Sequence, residues 1–165
     1  MDGVESSFME HALSIAPFNW IAIMTAVLCG LIIGLERQLR GKPVGIRTST
    51  LITLGTYVFI VAASTVSNSA TDPSRAIGQV ITGVGFLGAG VMLSRNGVVI
   101  GVTSAATIWA LASMGVCIGI GYYLTAIKLA AVVVSVLVGV EILEKYFQSL
   151  TRGVHQKYRG WKNRE

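Results

Sequence analysis

Residues 18–65 read FNWIAIMTAVLCGLIIGLERQLRGKPVGIRTSTLITLGTYVFIVAAST, two apolar runs joined by a short connection that carries Arg37, Arg40, Lys42 and Arg47. The runs extend from Phe18 to about Leu39 and from Val44 to about Thr65. Each is close to the roughly 20 residues that cross the hydrocarbon core of a bilayer as a helix. Working outward, three more stretches of the same kind follow: Ala76 to about Leu93, Thr103 to about Tyr122, and Leu124 to about Leu143. The expectation is an all-α integral membrane protein, a bundle of five transmembrane helices over residues 18–144. An external amino-terminal segment, 1–17, would precede it and a basic cytoplasmic tail, 145–165, would follow.

Composition agrees. Charged residues make up 13 % of the 165, where a soluble domain carries about a quarter. Hydrophobic residues make up 53 %, and the mean hydropathy is +0.68. So little charge would leave a soluble surface uncovered, whereas lipid requires an apolar exterior. The net charge of +5 does not indicate nucleic acid, because the basic residues sit in short blocks between apolar stretches.

Those blocks set the orientation. Arg37, Arg40, Lys42, Arg47, Arg95, Lys145, Arg152, Lys157, Arg159, Lys162 and Arg164 fall on one side if five helices alternate. Only Arg75 and Lys128 of the thirteen basic residues fall on the other. Eleven against two places the first side in the cytoplasm and the amino terminus outside. Four helices would put the first loop and the tail on opposite sides and remove the bias. Asp2, Glu5 and Glu10 precede the first run without a lysine or arginine, so that run is not a cleavable signal.

Little in the chain carries chemistry. Cys29 and Cys117 lie in separate apolar runs, and His11 and His155 lie in the two tails, so neither type makes a metal or redox motif. Residues 83–88, GVGFLG, match the letters of a dinucleotide fingerprint. That fingerprint needs a preceding strand, and here it lies inside a membrane stretch. The glycines serve packing instead: Gly30 with Gly34, and Gly115 with Gly119, have the spacing that lets membrane helices approach. Gly83, Gly85, Gly88 and Gly90 crowd the third helix, which is expected at the centre of the bundle. Either it packs tightly there, or it is broken and its carbonyls line an ion path.

Ionisable groups at membrane depth are functional candidates. Glu36 and Arg40, four apart, can meet on one helix face, with Arg37, Arg47 and Arg95 at the same membrane face. Asp72 caps the third helix ahead of Pro73. Arg75 and Gln79 share a face expected to project into the bundle. Thr103 and Thr107 follow helical spacing along the fourth helix, either as packing groups bonded to their own backbone or as a polar lining.

Five blocks together carry a family resemblance. GLER (34–37), GIRT (45–48), DPSR (72–75) with Gln79, GVGFLGAG (83–90) and GVTSAATIW (101–109) resemble, in order, the motifs of the MgtC/SapB family. The resemblance implies a multi-pass protein of the bacterial inner membrane with five helices and an external amino terminus. It further implies a role in magnesium homeostasis and growth at low magnesium and, in pathogens, in survival inside host cells. Virulence-type members carry an ACT-like domain after the fifth helix, and residues 145–165 are expected to be either the tail of a natural short form without it or what a truncation leaves. The family pattern favours histidine where this chain has Ser49.

Two functions follow. One is a non-enzymatic regulator of other membrane proteins, the proton-driven ATP synthase among those the resemblance implies, acting as a homo-oligomer in the lipid bilayer. The other is a transporter or channel for magnesium or another ion. No cofactor is expected, and magnesium enters only as ligand or signal. The acidic metal candidates, Glu36 and Asp72, lie at opposite faces, roughly 30 Å apart across spanning helices, and cannot share one ion.

Overall fold

The computed structural model describes residues 14–66, 72, 74–95 and 98–147. The expected external segment is therefore seen only from residue 14, and the expected tail only as far as residue 147. His11, His155, Asp2, Glu5, Glu10, Pro73 and the distal basic residues lie outside the described part. Five helices make up the fold: α1 (Trp20–Leu39), α2 (Ile46–Val66), α3 (Ser74–Val91), α4 (Val102–Gly119) and α5 (Tyr123–Tyr146). One element departs from the all-α expectation. Between α3 and α4 the strands β1 (Leu93–Arg95) and β2 (Val98–Ile100) pair antiparallel, Leu93 facing Ile100.

Local chemistry sets the ends. Asn19 caps α1, its Oδ1 accepting from the Ile21 amide at 2.7 Å. Helices α1 and α4 stop in the same way, with glycine just past the cap at positive φ, +62° at Gly41 and +92° at Gly121. There the Gly41 and Lys42 amides donate back to Gln38 and Arg37, and the Gly121 and Tyr122 amides to Ile118 and Cys117. This double bond pattern satisfies carbonyls that a helix end otherwise leaves bare, and it needs a left-handed residue that glycine supplies without a Cβ clash. The Gln38 side chain then spans the short loop to accept from the first amide of α2, Ile46, at 3.2 Å.

The core lies where α1, α2 and α4 meet. On α1 it takes Ala22, Ala26, Cys29 and Ile33, one helical stripe. Tyr57 comes from α2, and Ile108, Leu111, Met114 and Ile118 come from α4. Glycines let these helices touch backbone to backbone. A Cβ at Gly30 would lie 2.4 Å from Thr50 Cα, one at Gly34 2.5 Å from Ile46 Cα, and one at Gly115 2.6 Å from the Thr53 carbonyl oxygen. In α5 only Ala126 and Ala130 are buried hydrophobics, which leaves most of its valines and leucines facing outward.

Helices α1, α2, α4 and α5 are each long and apolar enough to cross a membrane. By the same measure α3 falls short, diluted by Arg75, Gln79 and five glycines. Its position also corrects the expectation that it is central. It is an unbroken helix at the edge of the bundle, with only Val84 and Gly88 buried. Gly83, Gly85 and Gly90 meet nothing within 4 Å, and Gly88 makes an ordinary 3.6 Å contact with Ala105. Arg75 and Gln79 are exposed rather than directed into the bundle.

Candidate functional site

The chain draws its charged side chains together at the end of the bundle where α1 finishes. Glu36 and Arg37 are only 8 % and 4 % exposed, although they close an otherwise apolar helix. Burial of such groups is costly unless they are paired. Arg40, one turn on, sets its Nε 2.8 Å from Glu36 Oε1, as the four-residue spacing requires. The Arg37 guanidinium lies 3.9 Å from Glu36 Oε2 and crosses to α4, where its Nη2 donates to the buried Ser104 hydroxyl at 3.1 Å. Arg40 reaches the other way and pairs with Glu141 on α5, which in turn holds Lys145 Nζ at 3.0 Å. One chain of charges thus ties α1, α4 and α5.

The cluster keeps unmet capacity. Both Glu36 oxygens lack a well-aligned hydrogen-bond donor despite the close ion pair, and Arg37 Nε has no acceptor. Beside it the backbone is strained. Val44, in the loop before α2, has φ of +67°, a left-handed value rare for a β-branched residue and costing about 1–3 kcal/mol. Its carbonyl accepts from the Ser49 hydroxyl at 2.9 Å, and its side chain is buried in the core. Ser49, where the family pattern favours histidine, therefore fastens this loop.

The other polar candidates lie apart from the cluster. Arg47 is exposed in the first turn of α2. Arg95 falls in β1, where its backbone alone is described. Asp72 is exposed beyond the opposite end of α2, its carboxylate accepting from the Ser74 amide at 2.8 Å and the Ser74 hydroxyl at 2.7 Å. Those bonds, with Arg75 nearby, hold it below the usual carboxylate range. Glu36 and Asp72 therefore share no site. Thr103 is exposed, and Thr107 is buried with its hydroxyl donating to the Thr103 carbonyl at 2.8 Å, a bond within one helix. Gln79 faces an open groove between α2 and α3. Sequence spacing anticipated the Glu36–Arg40 pair. It missed the links to Ser104 and Glu141 across helices, which no local periodicity encodes.

The fold and the site together define a helical, multi-pass membrane protein whose buried charges are gathered at one end. The family profile described as the MgtC family matches residues 23–146, and the chain belongs to that family. Among curated relatives, YhiD of Escherichia coli (strain K12), named as a candidate magnesium transporter, is 44 % identical over 108 residues. That match covers 61 % of this chain and 50 % of YhiD. An uncharacterised protein of Haemophilus influenzae is 38 % identical over 144 residues, covering 82 % of this chain and 58 % of the relative. Protein MgtC of Salmonella typhimurium (strain LT2) is 36 % identical over 125 residues, covering 76 % and 53 %. The chain spans about half the length of the curated relatives it matches. No solved structure matches it.

Proposed function

We propose that the chain crosses the bacterial inner membrane five times with its amino terminus outside, and supports magnesium homeostasis by regulating other membrane proteins rather than by catalysis or transport. The observation that carries this reading is the state of Glu36. It is the most deeply placed carboxylate among the described residues, and two guanidinium groups already face it. Magnesium gives up its water reluctantly and binds through carboxylates and carbonyls. A carboxylate neutralised by Arg40 and flanked by Arg37 offers a dication little attraction. The same cluster, locking three helices, suits a rigid body that presents surfaces to partners, including a second copy of the chain or the ATP synthase that the family resemblance implies.

Magnesium transport is the second reading, favoured by the name of the Escherichia coli relative. Reconstitution in liposomes with a trapped magnesium dye separates the two. The regulator reading expects no entry above empty liposomes from folded protein. Saturable entry that falls in Glu36→Gln or Asp72→Asn would establish transport instead.

A further inference from the structure

Helices α2 and α3 stand apart along their length, and the gap is a groove of about 740 Å³. Its lining runs along α2 from Arg47 through Leu51, Gly55 and Phe59 to Ala63, and along α3 past Gln79 and Gly83. Sixteen residues of helix separate Arg47 from Ala63, roughly 24 Å at 1.5 Å per residue. The groove therefore extends over most of the roughly 30 Å apolar thickness of a bilayer. Its walls are overwhelmingly apolar, and Gly55 and Gly83 leave open space beside them.

Length and lining suit an acyl chain laid along the two helices, since the walls are apolar over most of the bilayer's hydrocarbon depth. Charge selects the head. Arg47 is the one charged side chain in the lining, and no carboxylate accompanies it. It is exposed, and it stands in the first turn of α2, where the helix dipole also favours an anion. Guanidinium grips phosphate through paired hydrogen bonds, and basic pockets between membrane helices are known receptors for anionic headgroups. A zwitterionic head would bring an ammonium group for which this lining holds no carboxylate.

We infer that the α2–α3 groove holds an anionic phospholipid, its acyl chain along Leu51, Gly55 and Gly83 and its phosphate on Arg47. The test is native mass spectrometry of the delipidated whole chain in detergent, with phosphatidylglycerol and phosphatidylcholine offered at equal concentration. One phosphatidylglycerol should be retained about tenfold over phosphatidylcholine, because both phosphates can reach Arg47 but only choline brings a like charge beside it. Arg47→Gln should erase that preference while leaving chain binding. Gly55→Leu, whose Cβ would meet nothing within 4 Å and whose side chain would enter the groove, should lower retention of both lipids at an unchanged melting temperature. Equal retention of the two lipids by the unaltered protein would overturn the inference, as would a preference that survives Arg47→Gln. So would a lipid-free dimer that Gly55→Leu dissociates, since the groove would then hold a second copy.

Discussion

Arg37, in the last turn of α1, donates through Nη2 to the Ser104 hydroxyl at 3.1 Å, near the start of α4. The end of one helix and the beginning of another therefore share one end of the bundle. Because α2 leads away from that end, the chain between Val66 and Val102 has to return along the full height of the bundle. Helix α3 makes that return, although its composition alone does not mark it as a crossing. Arg40 with Glu141 adds the end of α5 to the same place. The even-looking set of four strongly apolar helices is thereby an odd set of five passes along the bundle.

That bond should be measurable in stability. Ser104→Ala removes the acceptor from a buried guanidinium whose Nε is already unmatched, and should lower unfolding free energy by about 1.5–3 kcal/mol. Ser113→Ala is the control. Its exposed hydroxyl bonds only within its own helix, to the Ala110 carbonyl, so the change should stay within about 0.5 kcal/mol. Denaturant titration in micelles reads both, and equal effects would remove the special standing of the Arg37–Ser104 link.

Glycines should divide into two groups. Gly30→Ala and Gly34→Ala place a methyl against the backbones of Thr50 and Ile46, which cannot rotate away, so each should destabilise by at least about 1–3 kcal/mol. Gly85→Ala meets open space and gains helix propensity, so it should be neutral or stabilising by up to about 1 kcal/mol. Melting temperatures of the three variants check this. A loss at Gly85 matching that at Gly30 would contradict the open outer face of α3.

At the far end, Asp72 should titrate below an ordinary aspartate because the Ser74 hydroxyl and amide both donate to its ionised form. The sign follows from linkage. A depressed folded-state pKa contributes stability above the unfolded value, and that contribution disappears as pH falls through the folded one. Ser74→Ala should raise the midpoint towards the ordinary aspartate value in a carboxyl-carbon NMR titration. An unmoved midpoint would mean that the Ser74 hydroxyl does not stabilise the ionised Asp72 carboxylate.

Helix positions were largely legible, and the reason is physical. An apolar run of bilayer length has few alternative folds, and Gly41 and Gly121 punctuate the runs where they end. Expected and observed bounds differ by at most three residues, as for 18–39 against Trp20–Leu39. Which helix sits inside was not legible. A glycine in sequence signals that a neighbour can approach, and Gly34 has one where Gly83 has none. The hairpin was missed although Asn96-Gly97, a favoured hairpin dipeptide, separates its two short strands. The charged cluster was half legible. Glu36 and Arg40 share a helix and a period, whereas Glu141 and Ser104 reach them only through the fold.

Five crossings with the charged cluster on the cytoplasmic side are the central claim, and cysteine accessibility tests them most directly. In a background of Cys29→Ala and Cys117→Ala, single cysteines would replace Lys42, Val66, Tyr122 and Phe147, all exposed at the ends of helices. The account predicts that an impermeant maleimide labels Val66→Cys and Tyr122→Cys in intact spheroplasts, and Lys42→Cys and Phe147→Cys only after lysis. Labelling Lys42→Cys and Phe147→Cys from opposite sides would mean that α3 does not cross, and would contradict it.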